Sequence, residues 1–227
     1  SAEFTDLHGS FEIKGAAYVD LPKLVDSLRS YFSERGQFRD EVFDHGVLTS
    51  NSQIWTYGDL SAETVIFCQG AATNENPWFK NLALNPVKGE TLLCQSKSLQ
   101  LPHTLYHHKK WLLPYPDGSF RIGATYDEDD LSPEPTQAKA EELLDAARGA
   151  LKKPHEIEIQ SHLAGLRPST IDNRPIVGQH PSEKCLYVLN GLGSKGASTG
   201  PAMAKILVDH LIAIRPIEEE VSISRFT

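Results

Sequence analysis

Residues 190–201 read NGLGSKGASTGP, a run of small residues between an apolar segment, LYVL at residues 186–189, and a segment of helical periodicity at residues 201–214. The apolar segment predicts a buried strand, and Pro201 suits the first position of a helix capped by Ser198 or Thr199. Glycines let a backbone approach a ligand closely, and a helix N-terminus stabilises an anion. The residues alone leave two interpretations equally open, a ligand-binding loop or a tight turn without a ligand.

The rest of the chain alternates between helical and strand-like patterns. Apolar residues at helical spacing predict a helix over residues 21–32, with Asp20 as its N-cap and Gly36 ending the run, and a second helix over residues 137–151. Gly70 follows a continuous apolar run and predicts a turn on the ligand side of a sheet. Strand-like runs cover residues 41–43, 52–57, 64–68, 91–94, 104–106, 110–114, 120–125, 156–159 and 186–189, with a turn at residues 116–118. This pattern predicts a mixed protein of the α/β or α+β class.

Composition limits the kinds of partner. The chain has 227 residues, of which 40% are hydrophobic and 23% charged, and a formal net charge of -8. This charge disfavours nucleic acid as a partner, because nucleic-acid binders present a basic surface. The apolar runs are shorter than a membrane span, and no signal peptide pattern opens the sequence. Cys68, Cys94 and Cys185 lie far apart in apolar runs, which predicts buried free thiols and a cytoplasmic location.

Arg167 stands in a second informative segment, AGLRPST at residues 164–170. An arginine between apolar and conformationally restricted residues suits a bidentate clamp for a carboxylate. The residues alone nevertheless favour a structural ion pair with one of the 30 acidic residues. Gly89, within VKGE at residues 87–90, predicts a plain turn.

Two segments invite a metal-binding interpretation. His107 and His108 are adjacent, and neighbouring side chains on a strand point to opposite faces, so a strand end or turn is the better interpretation. Residues 127–130 read DEDD but lack the central glycine and terminal glutamate of an EF-hand, so they are interpreted as a solvated charged run. The sequence predicts no metal site.

Five motifs occur in an informative order. They are VKGE at residues 87–90, WLLP at 111–114 with RIGAT at 121–125, GLRP at 165–168, PIVG at 175–178 and the loop at 190–201. Over residues 15–226 the sequence resembles the D-amino-acid-oxidase-like flavoproteins, especially glycine oxidase and the FAD half of the bifunctional enzyme that modifies the tRNA wobble uridine. The resemblance implies FAD-dependent oxidation of a small amino acid or secondary amine, with a hydride equivalent passing to flavin N5 and an imine as product.

The resemblance also implies a fold and a domain order. The implied fold class is α/β plus α+β. A Rossmann-like FAD-binding domain, formed by residues 1–85 and 170–227, would be interleaved with a substrate domain of residues 86–169 built on an antiparallel sheet.

The same resemblance implies functional residues. Arg167 would clamp the substrate carboxylate, and Trp111 stands where glycine oxidase has a tyrosine that helps to hold it. Because an indole N–H donates one hydrogen bond and accepts none, this difference argues against glycine-like substrates. Lys195 would assist the charge on the reduced flavin, or be a solvated loop lysine. The residues implied to contact FAD are Val42, through its backbone on the adenosine side, and Gly70, Gly165, Leu166, Gly191, Gly193, Ser194, Lys195, Gly196, Ala197 and Ser198.

One part of the family pattern is not found in residues 1–20, ahead of the first predicted helix. It is the opening strand, GxGxxG turn and helix that hold the FAD diphosphate, followed about 20 positions later by an acidic residue for the ribose. We therefore expect the chain to be truncated and to bind FAD poorly or not at all by itself. Two alternatives to amine oxidation stay open, a flavin-free binding module without activity and an FAD-dependent enzyme of tRNA wobble-uridine modification.

Overall fold

The computed structural model describes residues 3–5, 9–51, 54–102, 104–213 and 215–226. Internal packing divides the chain into a first unit, Ser1–Glu12 with Pro86–Arg167, and a second unit, Ile13–Asn85 with Pro168–Thr227. The helices and strands of the described residues are, in chain order, α1 Leu21–Ser33, β1 Thr49–Ser50, β2 Trp55–Tyr57, β3 Leu60–Ala62, β4 Val65–Phe67, β5 Val87–Gln95, β6 Tyr106–His107, β7 Trp111–Pro114, β8 Phe120–Gly123, α2 Gln137–Ala150, β9 Glu158–Arg167, β10 Ile176–Gln179, β11 Leu186–Asn190 and α3 Gly196–Ala213.

The first unit is built on a five-stranded sheet in the order β6-β7-β8-β5-β9, in which every neighbouring pair is antiparallel. Side chains alternate between the two faces of a strand. On β5 the even-numbered residues from Lys88 to Cys94 are buried, whereas Gly89, Thr91 and Leu93 are partly exposed. Helix α2 covers the buried face, and the core formed there contains Leu92, Leu112, Phe120, Ile122, Leu143 and Ala147.

The second unit contains two three-stranded sheets. The small sheet β1-β2-β3 is antiparallel. The other sheet has the order β10-β11-β4, in which β10 is antiparallel to β11 and β11 is parallel to β4. Helix α3 packs on it through Leu207, which lies against Val177 and Tyr187. The main core of this unit contains Trp55, Phe67, Phe79, Ile176, Leu186 and Val188.

Helix α1 forms as predicted, but its apolar side is uncovered. Asp20 caps the helix by accepting a hydrogen bond from the backbone N–H of Lys23. The chain reverses at Gly36, which adopts a φ of 63. No residue of α1 is buried, and Leu24 and Leu28 are 43% and 45% exposed. The amphipathic pattern therefore predicted the helix correctly without revealing that its apolar face lacks a partner within the described residues.

Residues 41–43 do not form the predicted strand. The segment is irregular, and the side chain of Val42 is 94% exposed. Asp44 begins a 3-10 turn by accepting a hydrogen bond from the N–H of Gly46, and this turn interrupts the extended chain. Phe43 instead stacks on Tyr57, with ring centroids 4.5 Å apart. Val42 has no sheet neighbour among the described residues to bury it, so the strand prediction was wrong here.

The other strand predictions are confirmed with shifted bounds. The runs at residues 64–68, 91–94, 110–114, 120–125 and 186–189 correspond to β4, β5, β7, β8 and β11. Of residues 52–57, positions 52 and 53 lie outside the described residues and the rest yield β2. Of residues 104–106 only Tyr106 joins a strand, and β9 begins at Glu158, two residues after the predicted start. The turn at 116–118 closes through a hydrogen bond from Gly118 N–H to the carbonyl of Tyr115.

Helix α3 begins at Gly196 rather than at Pro201. Pro201 therefore lies inside the helix, and the hydroxyls of Ser198 and Thr199 donate to the carbonyl of Lys195 instead of capping free N–H groups. A 3-10 turn over Gly193–Lys195 leads directly into the helix. This continuous turn explains why the predicted start, which relied on the proline, was five residues late.

The cysteines differ in exposure. Cys94 is buried and Cys185 is intermediate, but Cys68 is exposed, so the prediction of three buried thiols was wrong for Cys68. Cys68 follows the buried Phe67, and alternation along the chain turns the thiol outward. Within the described part of the chain, no helix is long and apolar enough to span a membrane.

Candidate functional site

The open face is the face of the five-stranded sheet opposite α2, and it carries Gly89, Thr91, Trp111, Arg121, Gly123 and Arg167. Strand pairing places Thr91 opposite Gly123, and Gly123 opposite Trp111. Arg121 is paired with Leu93, and Arg167 with Val87. Because paired residues share a face, the sheet brings Arg167 and Trp111 to one surface. These are the two residues predicted to hold a substrate carboxylate.

Arg167 lies across Gly89. A Cβ atom at Gly89 would overlap the Arg167 guanidinium group. The guanidinium Nη1 donates to the carbonyl of Lys88 at 3.3 Å, and its Cζ lies 4.2 Å from the centre of the Tyr126 ring. Gly89 is therefore a strand residue that provides space for the arginine, and its interpretation as a turn was wrong.

The charge of Arg167 is not neutralised by the surrounding protein. Within the described residues no Asp or Glu oxygen lies within 4.0 Å of its guanidinium nitrogens, so the structural ion pair favoured by the residues alone does not form. Partial burial lowers the pKa of Arg167 below its ordinary value, and Tyr126 opposes that change. Arginine stays protonated in proteins, so a half-buried cation with unused donors remains at this position. Such a group favours a planar anion.

Trp111 is accommodated in the same way as Arg167. A Cβ atom at Gly123 would overlap the indole ring of Trp111 and press on the methyl group of Thr91. Glycines on two strands thus leave room for a flat aromatic ring and a flat cation on either side of Thr91. The open face can therefore receive a small ligand between an anion-seeking group and an aromatic wall.

The sequence predictions missed Arg121 and Tyr126 as residues of this face. Arg121 donates from Nη1 to Oγ1 of Thr91 at 3.1 Å and from Nε to the hydroxyl of Tyr115 at 3.4 Å. The alternation of Phe120, Arg121 and Ile122 contained the signal, because the two apolar residues face the core and Arg121 must face away. Tyr126 follows the end of β8 and has no comparable periodicity.

A buried charged network underlies the site on the opposite face. The side chains of Lys88 and Glu90 are each 1% exposed, and their charged atoms lie 3.5 Å apart. Lys88 also binds Asp130 at 2.6 Å and thereby holds the pKa of that carboxyl well below its usual range. Asp127 binds Lys139 at 3.1 Å. The acidic run at 127–130 is therefore not merely solvated, and it fastens the segment after β8 to β5.

In the second unit, loops gather at the carboxyl ends of the parallel strands β4 and β11. Asn190 is 2% exposed, and its Nδ2 donates to the carbonyl of Gly70 at 2.9 Å and to Oγ1 of Thr73 at 2.7 Å. Gly70 and Gly191 adopt φ values of 57 and 71, which favour glycine. Asn190, which was not predicted, thus ties the turn after β4 to the glycine loop. Open α/β sheets bind ligands at this edge.

The glycine loop continues from this edge into α3. Gly193 lies near Ser169, and its N–H donates to the carbonyl of Pro168 at 3.2 Å. The remaining predicted contacts, Ser194, Lys195, Ala197 and Ser198, are exposed, and Gly196 begins α3. The N-terminus of α3 therefore lies beside small, accessible residues.

The chain matches a family described as FAD dependent oxidoreductase (DAO) over residues 1–210. It belongs to that family. It is 31% identical to the glycine oxidase of Bacillus subtilis (strain 168) over 156 residues, which cover 67% of this chain and 42% of the relative. It is 36% identical over 142 residues to the tRNA 5-methylaminomethyl-2-thiouridine biosynthesis bifunctional protein MnmC of Marinobacter nauticus, covering 58% of this chain and 22% of the relative.

A solved structure of glycine oxidase from Geobacillus kaustophilus matches with a TM-score of 0.63 and 25% identity, covering 78% of this chain and 49% of that one. The resemblance and the mixed α/β fold predicted from the sequence are thereby confirmed. The chain spans about half the length of the curated glycine oxidases that it matches.

The cofactor of this DAO family is FAD, and the edge formed by Asn190 and the glycine loop fits a flat, negatively charged group. Gly191 and Gly193 have no side chains and let the backbone approach a ligand closely. The N-terminus of α3 stabilises negative charge. Gly165 and Leu166, also predicted to contact FAD, belong to β9 of the first unit, where they pair with Gly89 and Lys88.

The metal-binding interpretations receive no support from the geometry. His107 ends β6, and both it and His108 are exposed, as expected for a strand end. Among the described residues, no group of three or more His, Cys, Asp or Glu side chains is arranged to hold a metal ion.

Proposed function

We propose that this chain takes part in the FAD-dependent oxidation of an amino acid or secondary amine and that its open face binds the substrate carboxylate. The observation that carries the proposal is Arg167, a half-buried guanidinium with no acidic partner within the described residues. In a chain with 30 acidic and 22 basic residues, an arginine without an acid is a natural anion site. Membership of the FAD dependent oxidoreductase family supports the reaction class.

The residues of the two units take different roles in this proposal. When bound, FAD would supply the redox chemistry by accepting a hydride equivalent, two electrons and one proton, from the carbon of the amine, and loss of a second proton from nitrogen to solvent gives the imine. In the first unit, spanning the predicted substrate domain, Arg167 pairs with the carboxylate and Trp111 donates from its indole N–H. In the second unit, spanning the predicted FAD domain, Gly70, Gly191 and the loop from Gly193 to Ser198 lie along the cofactor.

The alternatives have weaker support. Modification of tRNA rests on the name that two relatives share, and the net charge of -8 disfavours a phosphate backbone as partner. A flavin-free binding module would keep the carboxylate site but not the redox reaction.

Replacing Arg167 with methionine tests the carboxylate site. We expect Arg167→Met to weaken binding of N-propylglycine by about 10- to 100-fold, because one charge-assisted contact to a carboxylate is lost. Arg167→Lys should restore part of the affinity, since lysine keeps the charge but loses the planar fork. Isothermal titration calorimetry of the purified chain measures both effects.

Arg148→Met is the matched control for this experiment. Arg148 belongs to the same unit, but its side chain is 53% exposed and pairs with Asp145 on α2. Its replacement should leave the affinity for N-propylglycine unchanged. Equal affinities of Arg167→Met and the unmodified chain would remove the proposed role of Arg167.

A flavin spectrum tests cofactor binding by the 227 residues. We expect the purified chain, incubated with FAD and passed through a gel-filtration column, to elute with far less than one flavin per chain, because no GxGxxG turn precedes the first helix of these residues, where the family pattern holds the diphosphate. Free FAD passed through the same column provides the baseline. Elution with one flavin per chain, measured by the visible absorbance of the flavin, would contradict the expectation. It would show that other residues hold the diphosphate.

A further inference from the structure

Arg121 is a second cation on the open face without an acidic partner. Its side chain donates hydrogen bonds to the hydroxyl groups of Thr91 and Tyr115, which are neutral. Within the described residues no carboxylate oxygen lies within 4.0 Å of its guanidinium nitrogens. Carboxylates are available to cations of this unit, since Lys88, Lys110, Lys139 and Arg148 each pair with one. The lack of an acid is therefore a property that Arg121 and Arg167 share on this face.

The two guanidinium groups are close enough for one small ligand. The Arg167 guanidinium lies over Gly89, and the Arg121 Nη1 bonds the side chain of Thr91. Gly89 and Thr91 are two residues apart on the same face of β5, a separation of about 7 Å at a rise of about 3.3 Å per residue. A molecule with two carboxylates separated by a few bonds spans such a distance.

Hydrogen bonds to Thr91 and Tyr115 orient the side chain of Arg121 without neutralising it. Guanidinium groups held in place by neutral partners pay less conformational entropy when they bind a planar anion. The arrangement therefore favours binding of an anionic group that belongs to the ligand.

We infer that Arg121 binds a second carboxylate of the substrate, so that the preferred substrates are amino dicarboxylates whose distal carboxylate lies a few bonds from the amine. This inference rests on the proposed function, in which Arg167 holds the α-carboxylate. The Trp111 ring lies over Gly123, and the Tyr126 ring contacts the Arg167 guanidinium, so aromatic rings adjoin this face. The face thus accepts a short linker between two anionic ends.

A matched pair of probes tests the inference by calorimetry on the purified chain. N-(2-carboxyethyl)glycine carries a carboxylate where N-propylglycine carries a methyl group. We expect the unmodified chain to bind the dicarboxylate about 10- to 100-fold more tightly. Arg121→Met should abolish this preference and change the affinity for N-propylglycine by less than about twofold, and Arg121→Lys should keep part of the preference.

The controls separate the failure of this inference from failure of the proposed function. Arg167→Met should weaken both probes, whereas Arg121→Met should weaken only the dicarboxylate. Lys205→Met removes a charge on α3 in the second unit and should leave the preference intact. If Arg167→Met weakens both probes but Arg121→Met retains the preference, or if the unmodified chain shows none, Arg121 has only a structural role. If Arg167→Met weakens neither probe, the proposed function fails and this inference fails with it.

Discussion

Replacing Gly89 with alanine should weaken carboxylate binding about as much as replacing Arg167, by roughly 10- to 100-fold. The added Cβ atom would occupy the volume in which the Arg167 guanidinium lies. The backbone at Gly89 has no left-handed φ, so the strand itself accepts alanine. The atom that must move is the end of a flexible side chain. The change should therefore displace the arginine and leave the fold nearly intact, with a stability change within about 1 kcal/mol.

Gly149→Ala provides the control for Gly89→Ala. Gly149 lies on α2 in the same unit, and a Cβ atom there meets nothing within 4 Å. This variant should bind N-propylglycine with unchanged affinity, and alanine should slightly stabilise the helix. Calorimetry gives the affinities, and circular dichroism confirms that both variants are folded. Gly89→Ala with the affinity of the unmodified chain would show that the position of Arg167 over Gly89 is not needed for binding.

Local patterns predicted most elements of the fold, because each depends on neighbours in the sequence. The cap at Asp20, the helix α2 and the strands β4, β5, β7, β8 and β11 all follow from periodicity and turn residues. The strand prediction for residues 41–43 failed because a strand also needs a partner strand. A run of three residues contains no information about whether such a partner exists. The predicted start of α3 was wrong because it assumed that Pro201 takes the first helical position, which proline favours. In the structure Pro201 lies inside the helix.

The site was predicted only where a motif carried the information. Arg167 and the glycine loop were recognised, but the local sequence suggested an acid partner for Arg167 and a turn at Gly89. Both errors have the same cause, since the partner strand that places Arg167 over Gly89 lies nearly 80 residues away in the sequence. Arg121 was recoverable from alternation, whereas the bond from Asn190 to Gly70 spans two loops and has no local signature.

Replacing Glu90 with alanine should lower the free energy of unfolding by about 3–5 kcal/mol, the usual cost of breaking a buried charged pair. The Glu90 carboxylate accepts hydrogen bonds from the backbone N–H and the hydroxyl of Thr136, which caps α2. The carboxylate also lies 3.5 Å from Lys88 Nζ. Nε2 of His162 lies 2.7 Å from it, but the geometry of this contact does not form a hydrogen bond. Its removal leaves these groups without their shared anion inside the unit.

Urea unfolding followed by circular dichroism measures this loss, and Asp145→Asn is the matched control. Asp145 is 77% exposed and pairs with Arg148 on the surface of the same unit, so its change should alter stability by less than about 1 kcal/mol. Glu90→Gln should fall between the two variants, because the amide oxygen still accepts from Thr136 while the charge near Lys88 is lost. A loss below about 1 kcal/mol for Glu90→Ala would show that Asp130 and water compensate Lys88, and that the network under β5 does not determine the stability of this unit.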